Sequence, residues 1–219
     1  MDWYDFKRPL SPELMKRATE RQALLVLQHC FPEEMYNLFC ADKPDLQTSD
    51  LSLGIEVTEM ISRNDARLRS EFVKLNYGSP APKQKERCRK IITELGAALD
   101  EDSSILYPVR HAADDRMDFI NAVQHKQEKA KDYRAMGFKR LGLFVLCETP
   151  PIIYSRADAF EWFRSACCGR KDYDIVYLCY SSGLLSYDTR TESMNVSIIG
   201  RENYDCISRQ ARLDVEAAL

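Results

Sequence analysis

Long apolar runs are missing from this chain of 219 residues. The longest, around Leu24–Leu27 and Leu141–Cys147, stop far short of the roughly 18 residues a membrane span needs, so no membrane partner is expected. The N-terminal Met-Asp-Trp-Tyr-Asp has neither a basic leader nor an apolar signal core, and a cytoplasmic protein is the expectation. Histidine is scarce: the three residues at 29, 111 and 125 are scattered, and none of the eight cysteines forms a C-x2-C pair, which argues against a zinc cage. The thiols are expected to be reduced and to fill the interior as small apolar groups, with the adjacent Cys167 and Cys168 at a helix end. No overall positive charge marks a nucleic-acid binder either, since the net charge is -3. No internal repeat and no low-complexity tract interrupts the chain. With 45% hydrophobic and 30% charged residues, it suits one large soluble domain.

The element signals that are present alternate between helix and strand. Ser11-Pro12-Glu13 reads as a helix start running to about His29, with Leu14, Ala18, Leu24, Leu25 and Leu27 on the packing face. Glu20 lies in the middle of this helix beside Arg17 and Arg21, where a surface ion pair is the ordinary explanation. Phe31-Pro32 breaks the helix, and residues 34–40 read as a strand or a short helix leading to a Pro44-Asp45 turn. Residues 53–60 read as a strand, and residues 66–75 and 83–99 as helices separated by a loop at 76–82. A second loop is expected at 100–108, so residues 63–112 form a mostly helical insertion. A long helix follows over 114–136, then a strand at 141–147 buried on both faces, a helix over 157–166, a strand over 173–180 and a closing hairpin that ends near Gly200. The order implies an α/β sandwich with a mixed central sheet flanked by helices and carrying a helical insertion, all within a single domain spanning 1–219.

The chemistry centres on Lys43 to Met60. The Thr-Ser-Asp turn before the strand makes Asp45 and Glu56 neighbours across a hairpin. Alternation puts Glu56, Thr58 and Met60 on one face of the strand, and Ile55, Val57 and Glu59 on the other. A carboxylate between Ile55 and Val57 in a buried strand needs a partner, because an isolated buried charge is very costly. Two converging carboxylates suit a divalent cation of the Mg2+ type, with Mn2+ as a substitute and the Val57 carbonyl as a third ligand. Such an ion activates a water and neutralises phosphate charge, and a lysine usually completes the site.

Pro44-Asp45 followed by Ile55-Glu56-Val57-Thr58 resembles the PD-(D/E)xK nuclease superfamily, the restriction-endonuclease-like fold, over roughly 11–57 and 114–180. The resemblance implies a metal-dependent nuclease acting on DNA, or on RNA, with Asp45 and Glu56 holding the metal. The lysine expected two residues after Glu56 is Thr58, so a migrated cation is required. Lys126 and Lys129 are three apart on the long helix and hence share a face, and Lys129-x-x-x-Tyr133 is similar to the Gln-x-x-x-Tyr of some branches. Glu20 corresponds to the further carboxylate that many members carry on the first helix. Lys83, Lys85 and Arg87, in the basic stretch KQKERCRK, are candidate phosphate contacts, and a solvated helix face is their plainer explanation. A catalytically inactive module that binds nucleic acid or a protein is the second reading, motivated by Thr58 and the net acidity. A cysteine nucleophile at Cys30 or Cys147 lacks any local motif. A homodimer would suit double-strand cleavage.

Overall fold

Pro12 at the first helical position starts α1 (Pro12–Cys30), whose buried Ala23, Leu24, Val26 and Leu27 recur at helical spacing. The computed structural model describes residues 10–77, 80–99, 105–106, 111–147 and 151–218. The segment read as either strand or helix resolves into both: Pro32 opens the short α2 (Pro32–Met35), and β1 (Phe39–Cys40) follows. Next come β2 (Leu46–Gln47), β3 (Leu53–Glu59), α3 (Arg63–Tyr77), α4 (Pro82–Glu94), β4 (Ala98–Leu99) and β5 (Ile105–Leu106). The remaining elements are α5 (Ala112–Ala135), β6 (Arg140–Leu146), α6 (Arg156–Cys167), β7 (Ile175–Tyr180), β8 (Gly183–Asp188), β9 (Ser193–Ile198) and α7 (Arg201–Ala217).

Two compact units result. The larger comprises Pro12–Met60 and Ala112–Leu219, and the smaller is built from the described residues of Ile61–His111. In the larger unit a seven-stranded mixed sheet runs in the order β1-β2-β3-β6-β7-β8-β9. The β3, β6 and β7 strands are mutually parallel, and the antiparallel β1–β2 and β8–β9 pairs extend the two sides. Helices cover both faces, as the α/β expectation required. On one face Phe119 and Val123 of α5 and Trp162 and Phe163 of α6 pack on Leu141, Leu143, Val145, Val176 and Leu178. On the other, α1 and Tyr204 of α7 pack on Ile55, Phe144, Tyr177 and Cys179. The β6 strand is buried on both faces, which is why it reads as an unbroken apolar run.

The C-terminal helix α7 corrects the sequence reading, which closed the fold on the hairpin. Only Tyr204 and Ala211 of it are buried, with Ile207 partly so, and it is held on α1 through polar pairs: Arg21 Nε to Asp214 Oδ2 at 2.6 Å and Gln22 Nε2 to Ser208 Oγ at 2.7 Å. The smaller unit departs from expectation at a glycine. The α4 helix ends at Glu94 because Gly96 takes φ +82, so Leu99 lies in β4, paired antiparallel with β5, instead of extending the helix. Residue pairs Ala98–Leu106 and Leu99–Ile105 put β5 inside the segment read as loop, whose residues 100–104 and 107–108 lie outside the described residues. The α3 helix runs on to Tyr77, past the expected loop start, and residues 78–79 lie outside the described residues. The thiols form no disulfide among the described residues, but only Cys88, Cys147, Cys167 and Cys179 are buried, whereas Cys40, Cys168 and Cys206 are exposed. No helix among the described residues is long and apolar enough to cross a membrane.

Candidate functional site

The site grows from the short β2–β3 pairing. Leu46 pairs with Ile55 and Gln47 with Gly54, so Asp45, one residue before β2, arrives beside Glu56. Its Oδ2 accepts the Val57 N–H at 2.8 Å, which ties the Pro44-Asp45 turn to β3 where β2 has ended. Gly54 makes this approach possible: a Cβ there would lie 2.7 Å from Pro44 Cγ and 2.9 Å from Phe138 Cδ1. Both carboxylates are inside the protein, with Asp45 3% and Glu56 1% exposed.

Glu56 points to the α5 face, where its register neighbour is Leu143, and the buried carboxylate finds the partners its location demands. Lys126 Nζ and Lys129 Nζ donate to the same Oε1 at 2.7 and 2.6 Å, and the Tyr133 hydroxyl donates to Oε2. These three α5 residues lie three and four positions apart, so one helix face delivers them together. The Tyr173 hydroxyl donates to the Lys126 carbonyl at 2.8 Å, fixing that turn of α5. Thr58, the next residue on the face of Glu56, pairs in register with Val145 of β6. The cations beside Glu56 both come from α5.

Glu20 is 8% exposed, which overturns the surface ion-pair reading. Arg17 pairs with Glu13 and Arg21 with Asp214, while Lys16 Nζ lies 3.1 Å from Glu20 Oε1 and 3.7 Å from Asp45 Oδ1. Sequence reasoning did not single out Lys16. Its signal was the i,i+4 spacing to Glu20, which places both on one face of α1. A cleft of about 380 Å³ opens beside it, lined by Glu13, Lys16, Arg17, Glu20, Ala41 and Asp42.

The two carboxylates sit in opposite electrostatic surroundings. Burial pushes the Asp45 carboxyl up to about 6 against the pull of the Val57 N–H, with the charges of Glu56 and Glu20 adding to the rise and Lys16 opposing it. Burial also acts to raise Glu56, but hydrogen bonds from Lys126, Lys129 and Tyr133 outweigh it and hold the group below its ordinary value. Burial lowers Lys129, yet its hydrogen bond to Glu56 and the nearby carboxylate charges leave it raised. Lys16 is raised first by its hydrogen bond to Glu20. The Tyr133 phenol is pushed upward by burial and by Glu56.

The larger unit thus brings together six of the residues singled out from sequence: Glu20, Asp45, Glu56, Lys126, Lys129 and Tyr133. The seventh, Val57, contributes its N–H to Asp45. Among the described residues no group of three or more His, Cys, Asp or Glu side chains is arranged to hold a metal ion, so any ion here rests on two carboxylates with open positions. Lys83, Lys85 and Arg87 belong to the smaller unit, where they are exposed on α4 and form no ion pair with the described residues. Cys88 and Ile92 are the buried residues of α4; Lys83 and Arg87 lie on the opposite side of the helix, whereas Lys85, three residues before Cys88, is exposed on the same side in the first turn. No protein-family model, no curated protein and no solved structure matches this chain.

Proposed function

We propose that the protein is a metal-dependent nuclease of the PD-(D/E)xK type, hydrolysing phosphodiester bonds in DNA or RNA. The observation that carries this reading is the buried pair Asp45 and Glu56 at the β2–β3 turn, with Glu56 gripped by two lysines of α5. The order α1, three strands, α5, β6, α6 and β7 is the frame expected of a restriction-endonuclease-like fold.

The donor set suits Mg2+: its carboxylate oxygens are hard ligands, and two of them leave room for the several waters this ion keeps. Asp45 is raised first by burial, and the charges of Glu56 and Glu20 add to that rise, an environment a bound cation would relieve. Asp45 and Glu56 would hold the ion, and the Val57 carbonyl and Glu20 are the further ligands the resemblance implies. When bound, the ion would supply an activated water and charge neutralisation at the scissile phosphate, and Mn2+ would serve in its place. Tyr133 orients the Glu56 carboxylate through Oε2. Lys126 or Lys129, both on Glu56, would supply the cation that orients the attacking water and stabilises charge developing on the phosphoryl oxygens, the task left open by Thr58. The exposed cations of α4, Lys83, Lys85 and Arg87, would add sequence-independent phosphate contacts.

One observation favours a second reading, an inactive nuclease-like module that binds nucleic acid or a protein: both oxygens of Glu56 are already engaged by three donors. Incubation of wild type, Asp45→Asn and Glu56→Ala with plasmid, linear and single-stranded DNA and with RNA, in Mg2+, Mn2+ or EDTA, separates the two. Cleavage by wild type that needs the metal and is lost in both variants is the expected result. Equal cleavage by the variants, or none by wild type on any substrate, would defeat the nuclease reading.

A further inference from the structure

The candidate site holds three carboxylates, Glu20, Asp45 and Glu56, against three ammonium groups, Lys16, Lys126 and Lys129. That balance is complete before any metal is added. The two ammonium groups on Glu56 crowd a single oxygen, since Tyr133 holds the other. Like charges at that separation repel, so Glu56 is sharing one carboxylate charge between two cations. The three lysines are not held equally. Lys126 is 23% exposed and its own carbonyl is tied down by Tyr173, whereas Lys129 is 49% and Lys16 65% exposed, the latter at the edge of the open cleft.

A divalent cation entering between Asp45 and Glu56 adds two positive charges to an already neutral cluster. Relief requires that positive charge leave, and the least buried ammonium groups leave at the smallest cost. We infer that Lys16 and Lys129 are exchangeable counter-ions of this site, occupying the carboxylates while the metal is absent and swinging to solvent when it binds. The inference rests on the proposed metal site, and it assigns Lys126 alone as the lysine that stays on Glu56.

Calorimetric titration with Mn2+ tests it without recourse to activity. Breaking a unit ion pair at about 3 Å costs roughly a tenfold factor in affinity even at water-like screening, and the variants no longer have that pair to break, so Lys16→Gln and Lys129→Gln should each bind Mn2+ about tenfold more tightly than wild type. Thermal unfolding of each variant in EDTA confirms that it is folded. A second readout uses protein labelled with 15N at lysine Nζ: ammonium signals assigned to Lys16 and Lys129 through the two variants should be protected from exchange in EDTA and lost in saturating Mg2+. Unchanged or weaker Mn2+ affinity in both variants, or ammonium signals that persist with Mg2+ bound, overturns the exchange while leaving the metal site standing if Asp45→Asn abolishes Mn2+ binding. Absence of Mn2+ binding in wild type and variants alike removes the metal site and the exchange together.

Discussion

Asp45 and Glu56 titrate in opposite directions, and their effects on folding separate by sign. Asp45 is raised from 3.8 to about 6, so its contribution to stability is fully present below about pH 4 and is lost as pH rises through about 6. Glu56 is lowered, so its contribution is present above its ordinary value near 4.5 and is lost as pH falls. In EDTA, Asp45→Asn is therefore expected to be more stable than wild type at pH 7–8 by about 2 kcal/mol, with the advantage vanishing near pH 4. Urea unfolding at several pH values checks this, and an advantage independent of pH would contradict it. Glu56→Gln should do the reverse, costing about 1–3 kcal/mol at pH 7 because it leaves Lys126 and Lys129 without their carboxylate; the range is set below that of a fully buried pair since both lysines are partly solvated. At this scale much of the site was legible. A lone acid between Ile55 and Val57 announces that it needs a partner, and Lys126, Lys129 and Tyr133 announce a shared helix face. Lys16 and the burial of Glu20 were not legible: Arg17 and Arg21 are nearer in sequence, and only the packing of α1 beside the Asp45 turn shows that they point elsewhere, to Glu13 and Asp214.

Among the elements, the β2–β3 pairing is the part on which the chemistry depends, and Gly54 is its hinge point. Gly54→Ala places a methyl group 2.7 Å from Pro44 Cγ and 2.9 Å from Phe138 Cδ1, so the turn carrying Asp45 must move off β3. The expected result is a loss of about 1–3 kcal/mol together with flattening of the pH 4–6 stability change that Asp45 produces, both read from the same unfolding series. Stability loss with the Asp45 signature intact would mean that Phe138, not the turn, takes up the strain. The α7 helix makes a different contribution, covering the sheet beside α1. Tyr204 is 2% exposed, and Tyr204→Ala is expected to cost about 3–4 kcal/mol in thermal or urea unfolding. A loss below about 1 kcal/mol would show that α7 is not part of the cooperative core. The helix escaped sequence reading because only Tyr204 and Ala211 of it are buried and its hold on α1 is through Arg21–Asp214 and Gln22–Ser208, pairs 193 and 186 residues apart in the chain.

For the whole molecule, the net charge of -3 says little about nucleic acid, because the cations of α4 are concentrated on one exposed helix of the smaller unit. Replacing Lys83, Lys85 and Arg87 together by Gln should lower the dependence of log K on log salt by about 2–3 for single- or double-stranded DNA, without changing the circular dichroism spectrum. An unchanged slope would return α4 to an ordinary solvated helix. By itself the sequence determined the alternation of helices and strands, the doubly buried β6 and the face shared by Lys126, Lys129 and Tyr133, because these follow from periods of 3.6 and 2 acting within single elements. It also placed Asp45 beside Glu56, since a short turn leaves an antiparallel pair little choice of register. Only the tertiary structure decided that Glu56 takes two ammonium groups on one oxygen, that Lys16 stands between Glu20 and Asp45, and that α7 closes the α1 face. Apart from Lys16–Glu20, four positions apart on α1, those contacts join residues tens to nearly two hundred positions apart, and local periodicity carries no information about which distant charge will be left over to meet a buried one.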